Sequence, residues 1–231
     1  MKIPGVPLIL CLLTIAFVAN GDIPDQYQGK PFQDATHTTP QAIPGRVQAA
    51  LYDFGGEGIA YHDTDAVNHG SGELNYKPGH CEEGVPPSIC HFRENEGVDI
   101  SYVKKMADLN HPNMVAPDWQ QLYIGWTEDG EWTNYTVDVK NAGKYKIQVM
   151  YSNLAQTIQF SRNNEPAADC KLPVDVSKQL PLANFPDWVV WHTWNKAECG
   201  EIEFRQAGRQ LLTLHCKKGN NLAYFDFVSA N

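Results

Sequence analysis

Residues 55–65 concentrate groups that could do chemistry into eleven positions. The run reads Gly-Gly-Glu-Gly-Ile-Ala-Tyr-His-Asp-Thr-Asp. Its glycines permit left-handed or close-approach backbone conformations, and its polar side chains are too many to be buried without partners. The run therefore predicts a loop that faces water, a ligand or a metal. Catalysis, metal binding and simple turn formation all remain open at this point.

Acidic side chains and one imidazole provide the case for an enzyme. Two carboxyl groups, or a carboxyl group and a histidine, could serve as the acid and base of glycoside hydrolysis. Turn loops of β-sandwiches also collect Asp, Glu and Gly for conformational reasons, so each of these residues has a structural interpretation as well. The candidates are Glu57, His62, Asp63, Asp65, Glu128 and Glu131.

The elements that must position these groups are short strands. In 144–151, Tyr145, Ile147, Val149 and Tyr151 alternate with more polar neighbours, which is typical of a strand with one face on a core. Helical spacing within 101–117 allows one short helix there, although two prolines interrupt it. Many short strands separated by turn signals predict an all-β fold, a two-sheet sandwich or a barrel. The predicted strands are 46–52, 122–126, 132–139, 144–151, 157–161, 188–194, 201–204, 210–216 and 222–228, with shorter pieces at 92–93 and 98–100.

The N-terminus predicts export. Residues 1–21 combine an early lysine, an apolar run too short to span a bilayer and a small-residue end, as a signal peptide does. Cys11 leaves a lipid anchor as an alternative. Removing 21 of the 231 residues takes Lys2 away, so the formal net charge changes from −9 to −10. An acidic chain without a basic run argues against nucleic acid or anionic membrane as a partner. We predict a secreted protein, extracellular or periplasmic, that is monomeric.

The rest of the chain divides into two parts. Residues 22–43 are polar and predict a surface lead-in, and 44–231 predict one domain. Five cysteines remain after the leader, and an oxidising destination favours disulfides. Cys81 and Cys90 are the predicted pair. Among Cys170, Cys199 and Cys216 one further bond can form, and sequence leaves the choice open. The leftover cysteine is interpreted as a small buried hydrophobe.

A zinc site is the alternative for the first cysteine pair. His80 precedes Cys81 and His91 follows Cys90, so two imidazoles adjoin two sulfurs. Structural zinc sites usually separate paired ligands by two to four residues, because adjacent side chains rarely converge on one tetrahedron. The disulfide is therefore the favoured interpretation.

Seven pieces of sequence, in order, resemble the family 6 carbohydrate-binding modules. That resemblance extends from about residue 40 to the C-terminus and implies a galactose-binding-like β-jelly-roll sandwich with no catalytic cofactor. No single piece is specific, but their order is. The pieces are 43–49, 55–65, 92–93 with 97–100, 124–126 with 130–137, 142–145, 188–191, and 221–222 with 225–227.

The resemblance also implies which residues bind. Trp126 and Trp188 match two aromatic walls of a sugar cleft and Asn221 matches an amide that bonds sugar hydroxyls, while Glu57 and, less closely, Tyr61 fall in a loop that closes the cleft. The chemistry agrees, since a pyranose offers a flat C–H face to an aromatic ring and a rim of hydroxyls to polar groups. Both tryptophans also lie beside turn or proline signals. Trp132 and Trp191 are predicted to belong to the core because each lies within a strand run.

A structural calcium ion is also implied by the resemblance. Gln48 and Asp226 match two of its side-chain ligands, and Ala50 replaces a third, so one oxygen and one charge are lost. The segments 80–91 and 101–117 are additions to the family pattern that could extend or block the cleft. The leading prediction is a non-catalytic polysaccharide- or oligosaccharide-binding protein. The alternatives are a carbohydrate-active enzyme and a module that recognises protein or cell surface through the added segments.

Overall fold

Two β-sheets packed face to face make up the part of the chain that the computed structural model describes, residues 23–230. The predicted signal peptide, 1–21, lies outside the described residues. The predicted two-sheet sandwich is confirmed. Its strands are β1 Gln41–Ile43, β2 Gly45–Gln48, β3 Tyr61–His62, β4 Ile100–Tyr102, β5 Leu122–Ile124, β6 Trp132–Val139, β7 Gly143–Asn153, β8 Thr157–Arg162, β9 Glu165–Lys171, β10 Trp194–Phe204, β11 Gly208–His215 and β12 Asn220–Ser229.

The first sheet has the strand order β1-β6-β11-β8-β9, with β3 also paired to β6. The second has the order β10-β7-β12-β5-β4, with β2 also paired to β12. In the second sheet, Ile124 of β5 is paired with Leu222 of β12, although nearly 100 residues separate them. This pairing places the last residue of β5 beside the beginning of β12, at the same end of the sandwich.

The core lies between the sheets and follows the alternation of the strands. The predicted inward face of β7 is confirmed, since Tyr145, Ile147, Val149 and Tyr151 are all buried in the main apolar cluster. Across the core, Phe160 of the first sheet meets Phe225 of the second edge to face, with ring centroids 4.9 Å apart. On both sheets, every second side chain of a strand points into the core, and these side chains interdigitate in a single apolar layer.

Two disulfides are present in the described chain. Cys81 and Cys90 are joined, as predicted, so their sulfurs are not available as the thiolates that a zinc site needs. Cys170 of β9 is joined to Cys199 of β10, which ties the edge strand of one sheet to the edge strand of the other. Cys216 is free and buried, and burial raises the pKa of its thiol. The interpretation of the leftover cysteine as a small buried hydrophobe is confirmed.

Several predicted element bounds are wrong. Residues 188–194 are not a strand, because Asp187–His192 is a 3₁₀ helix that begins directly after Pro186, and β10 starts only at Trp194. The strand predicted at 46–52 corresponds to β2, which ends at Gln48. The piece predicted at 92–93 is a turn. Strand β9 was not predicted. It forms a hairpin with β8 across Asn163 and Asn164, both of which have positive φ.

The segment 22–43 is more than a surface lead-in. It contains β1, which pairs in parallel with β6, and the side chain of Phe32 is buried. Tyr27 donates a hydrogen bond of 2.7 Å from its hydroxyl to Asp53. These contacts are made with residues far along the chain, so hydrophobic periodicity within 22–43 could not indicate them.

The helices are short. One α-helical turn, Pro87–Cys90, lies in the disulfide loop, and within 101–117 the predicted helix is a single π-helical turn, Lys105–Leu109. No helix among the described residues is long and apolar enough to cross a membrane. The remaining helical segments are a π-helical turn at His69–Glu73 and 3₁₀ turns at Leu74–Tyr76 and Val176–Gln179.

Candidate functional site

Three tryptophans surround one cavity of about 480 Å³ where strand β5 ends and strand β12 begins. Trp126, Trp188 and Trp191 are 42%, 48% and 50% exposed, which is unusual for the largest apolar side chain. The cavity is lined mainly by apolar surface with a few polar groups among it. Such a composition is typical of a site for a small organic ligand rather than for an ion.

Trp126 is placed by the end of strand β5. It has φ of 49°, a left-handed conformation that costs a non-glycine residue about 1–3 kcal/mol. Gly125 before it has no room for a side chain, since a Cβ atom there would lie 2.7 Å from Oδ1 of Asn221. The close approach of the Asn221 side chain therefore favours glycine at 125, and the next residue, Trp126, lines the cavity.

Trp188 and Trp191 are placed by the 3₁₀ helix. Residues three apart lie above one another in a 3₁₀ helix, so both indoles face the same side, while Val189 between them is buried. The prediction that Trp191 belongs to the core is wrong, because it rested on a strand through 188–194. The core tryptophan of this segment is Trp194, which has no exposed surface.

Trp132 also departs from its prediction. It is half-buried and does not belong to the apolar clusters of the described core. Its ring lies 6.3 Å from that of His62 on the outer side of β6. Trp132 is the first residue of β6, and no second sheet covers the outer side of that strand. Its side chain is therefore partly exposed.

Two neighbouring asparagines supply polar groups at the cavity. Nδ2 of Asn221 donates to the carbonyl of Trp191 at 2.7 Å, which fixes the orientation of the amide. Nδ2 of Asn220 donates to the carbonyls of Ser152 and Leu154 at 2.9 and 3.0 Å. Oδ1 of Asn220 is buried and has no hydrogen-bond partner within the described chain. A buried acceptor of this kind is costly unless a donor from outside the chain satisfies it.

The rim of the cavity carries one ion pair. Nζ of Lys218 lies 2.8 Å from Oε1 of Glu128, and both residues line the cavity. The two charges neutralise each other, so the rim presents no excess of either sign. The electrostatics therefore favour a neutral ligand over an anion or a cation.

Glu57 and Tyr61 are not brought to this cavity, contrary to the sequence prediction. Tyr61 is buried, packs edge to face on Tyr52 at 5.5 Å and accepts a hydrogen bond from the backbone N–H of Gly97. Oε1 of Glu57 lies 2.5 Å from Nδ1 of His62. The loop 55–65 leads into β3, which pairs with β6 in the first sheet, whereas the tryptophan cavity belongs to the second sheet.

The carboxylates proposed for catalysis do not flank the tryptophan cavity as a pair. Glu128 is the carboxylate among the lining residues, and it is ion-paired with Lys218. Glu131 is buried and accepts hydrogen bonds from Thr64 and from the backbone of residue 128. Asp65 lies 3.1 Å from Nε2 of His69. Acid–base hydrolysis needs two carboxyl groups on opposite sides of one bond, and this cavity does not offer them.

Instead, the loop 55–65 and its neighbours bury acidic groups that affect stability. Burial raises the pKa of Asp63 to about 7 and that of Asp99 to about 8. Asp99 is 6% exposed, and its carboxylate accepts the backbone N–H of His69 at 2.5 Å. Both carboxyl groups hold a proton in the folded chain at pH values where the unfolded chain has lost it. Their stabilising contribution is thus complete below about pH 4 and is lost as the pH rises through 7 to 8.

We expect Asp99→Asn to remove part of this pH dependence. An asparagine keeps an acceptor for the His69 N–H but does not ionise, so the variant should exceed the wild type in unfolding free energy by about 1–2 kcal/mol at pH 8 and differ little at pH 4. Urea unfolding followed by circular dichroism at both pH values measures this. Equal pH dependence in the two proteins would contradict it. The bond to Glu73 raises the pKa of His69 to about 9, so the stabilising contribution of His69 is also lost as the pH rises through that value.

The calcium ion implied by the resemblance does not fit the residues at its predicted position. The carboxylate of Asp226 accepts hydrogen bonds from Nε of Arg46 and Nζ of Lys196, both at 2.7 Å. Oε1 of Gln48 accepts an amide hydrogen bond of 2.8 Å, and Ala50 is buried and has no oxygen in its side chain. Two cationic side chains already neutralise the single carboxylate. Calcium at Gln48 and Asp226 stays a prediction that this geometry does not favour.

No residue of the added segment 101–117 lines the cavity, and the segment is bonded to Trp194 instead. Oδ1 of Asn113 accepts the backbone N–H of Trp194 at 2.7 Å, and the carbonyl of Trp194 accepts the N–H groups of Met114 and Val115. Only Thr193 separates Trp194 from the end of the 3₁₀ helix. The addition therefore supports the segment that carries the cavity tryptophans, a role that neither of the predicted alternatives described.

The described chain is similar to solved structures of family 6 carbohydrate-binding modules, the family that the sequence resembles. One, from Clostridium stercorarium in complex with cellobiose, is 13% identical with a TM-score of 0.48, over 83% of this chain and 98% of that one. A β-1,3-glucan-binding module from Bacillus halodurans is 14% identical with a TM-score of 0.44, over 83% and 100%. A module from Clostridium cellulolyticum in complex with xylose is 12% identical with a TM-score of 0.43, over 82% and 100%.

Comparison of the sequence with family models and with curated proteins identifies no further relative. No family model and no curated protein matches the chain. Because the identities are below 25% and the TM-scores below 0.5, nothing about the ligand of this chain follows from these structures. Its function has to be inferred from the cavity itself.

Proposed function

We propose that this protein is a secreted, non-catalytic carbohydrate-binding protein that holds a neutral oligosaccharide in the tryptophan cavity. The observation that carries the proposal is the convergence of three half-exposed indoles, those of Trp126, Trp188 and Trp191, on one cavity. The C–H face of a pyranose packs well against an indole, and its hydroxyls can bond the few polar groups nearby. A volume of about 480 Å³ suits an oligosaccharide segment rather than an ion or a whole protein surface.

The polar groups of the cavity support a ligand rich in hydroxyls. Asn220 and Asn221 both line the cavity, and amide groups offer the donors and acceptors that sugar hydroxyls bond. Asn221 is held in place by the carbonyl of Trp191, so its amide is preorganised for a ligand. The paired charges of Glu128 and Lys218 at the rim favour a neutral sugar.

Two further observations support the non-catalytic and secreted parts of the proposal. The one carboxylate among the lining residues is neutralised by an ion pair, so the cavity does not present two free carboxyl groups across a bound sugar. Two disulfides in the described chain suit an oxidising compartment, in agreement with the predicted signal peptide.

A titration with soluble tetrasaccharides tests the proposal. Xylo-, cello-, laminari- and agaro-tetraose are each added to the protein, and binding is followed by isothermal calorimetry and by tryptophan fluorescence. We expect saturable binding of at least one of them with one site per chain and with no new reducing ends in the recovered sugar. The absence of binding of every tetrasaccharide up to about 5 mM, above the range of weak specific sites, would overturn the proposal. Release of shorter sugars would instead show catalysis.

A further inference from the structure

His192 is the one imidazole among the residues that line the tryptophan cavity, and the function proposed above does not yet use it. It is the last residue of the 3₁₀ helix, and its ring packs at 83° to the indole of Trp188 with centroids 5.6 Å apart. Its side chain is 22% exposed. Trp188 nevertheless keeps nearly half of its surface free, so the contact between the two rings leaves room for a ligand on the indole.

A buried carboxylate determines how the imidazole is oriented. Oδ1 of Asp108 lies 2.9 Å from Nδ1 of His192, and Asp108 has no exposed surface. Both oxygens of Asp108 also accept N–H groups of other residues, so the carboxyl group acts as an acceptor and Nδ1 carries the hydrogen of this contact. Nε2 is then the free ring nitrogen, and no hydrogen bond to it is found within residues 23–230.

Asp108 is itself held rigidly. The indole Nε1 of Trp194 donates to its Oδ1 at 2.8 Å, and the backbone N–H of Lys104 donates to its Oδ2 at 2.8 Å. With His192, three donors surround one buried carboxylate, and all three come from well-packed positions. A side chain fixed by such a partner presents its other polar atom in a defined direction.

The carboxylate comes from the added segment 101–117, and the imidazole comes from the helix that carries two of the cavity tryptophans. The distance of 84 residues between Asp108 and His192 is bridged only in the folded chain. Asn113 and Trp194 connect the same two segments a second time. The addition thus acts on the cavity through the buried Asp108, which orients the partly exposed imidazole of His192.

We propose that His192 is a further recognition residue of the cavity, whose Nε2 forms a hydrogen bond with a hydroxyl of the bound saccharide, and that Asp108 is its positioning residue. This inference rests on the proposed function. A hydroxyl both donates and accepts, so it can bond Nε2 whether or not that nitrogen is protonated. The ligand class is again a neutral sugar, with one hydroxyl directed to the edge of Trp188 that His192 covers.

Calorimetric titration of four variants with the tetrasaccharide that binds the wild type most tightly tests this inference. We expect His192→Ala to raise Kd by about fivefold to tenfold, the usual effect of losing one hydrogen bond, and His192→Gln to recover part of the loss. Asp108→Asn should raise Kd by about threefold, because an amide holds the imidazole less firmly than the carboxyl group does. In the double variant Asp108→Asn/His192→Ala, Kd should equal that of His192→Ala, since Asp108 acts through His192.

Controls separate this inference from a loss of folding and from the proposed function. His62→Ala removes another imidazole paired with a carboxylate, but one outside the cavity, and should leave Kd unchanged. Thermal unfolding of each variant shows the folded fraction, and Kd is compared for folded protein only. If the wild type binds and His192→Ala binds equally well, this inference alone is overturned. If Asp108→Asn weakens binding equally with and without His192, the positioning role is overturned. If the wild type binds none of the tetrasaccharides, the proposed function fails and this inference with it.

Discussion

Trp188→Ala is expected to weaken saccharide binding by about thirtyfold, or about 2 kcal/mol. The indole lines the cavity, is 48% exposed, and is fixed by a 3₁₀ helix that begins directly after Pro186. A preorganised aromatic side chain in the middle of a binding surface commonly carries a large share of the binding energy. Alanine removes the whole stacking surface and lets water into that wall of the cavity. Isothermal calorimetry with the tetrasaccharide that the wild type binds most tightly measures the change in Kd.

Trp119→Ala is the matched control for this prediction. Trp119 is 37% exposed, similar to the cavity tryptophans, but it lies outside the cavity, where its Nε1 donates to Glu82 at 3.1 Å. Its removal should leave Kd within about twofold of the wild type, as expected for a site without contact to the ligand. Trp126→Ala should behave like Trp188→Ala. If both cavity variants bind as tightly as the wild type, the ligand does not stack on these indoles and the proposed site is wrong.

The largest loss of stability is expected from Trp194→Ala, at about 3–5 kcal/mol in unfolding free energy. The side chain has no exposed surface and packs edge to face on Tyr123, with centroids 5.3 Å apart. Its Nε1 also donates to the buried carboxylate of Asp108. Alanine at 194 would leave a large cavity and would deprive that carboxylate of one of its donors, and both effects lower stability. Urea unfolding followed by far-UV circular dichroism measures the loss.

Two comparisons make this prediction specific. Trp194→Phe keeps most of the apolar volume but lacks the N–H group, so it should cost less than the alanine variant. Trp119→Ala removes a partly exposed indole and should cost less than about 1 kcal/mol. A loss below about 1.5 kcal/mol for Trp194→Ala would contradict the role of Trp194 in joining the added segment to β10.

The strands that the sequence predicts correctly are those with clear alternation and a turn at each end. The prediction for 132–139 matches β6 residue for residue, and 144–151 lies within β7. In such strands the burial of each side chain follows from its own position relative to its neighbours two residues away. Local sequence contains that information, so the fold class and the inward faces follow from it.

The errors occur where local signals conflict or were overlooked. Residues 188–194 are rich in tryptophan and valine, which favour strands, but Pro186 and the i, i+3 spacing of Trp188 and Trp191 suit a 3₁₀ helix. The hairpin of β8 and β9 had a usable signal in Asn163-Asn164, since two residues with positive φ are what a tight hairpin turn requires. Strand β1 had no such signal, because its pairing with β6 is a long-range contact.

For the candidate site, the sequence by itself determined the types of residue and a resemblance that singled out Trp126, Trp188 and Asn221, which do line one cavity. Only the tertiary structure decided which other residues join them. It brings in Trp191 and His192 and places Glu57 and Tyr61 on the other sheet. The physical reason is the range of the interactions. Alternation and turn signals depend on residues that are close in sequence. The cavity instead depends on the pairing of Ile124 of β5 with Leu222 of β12, a contact that forms only in the complete fold.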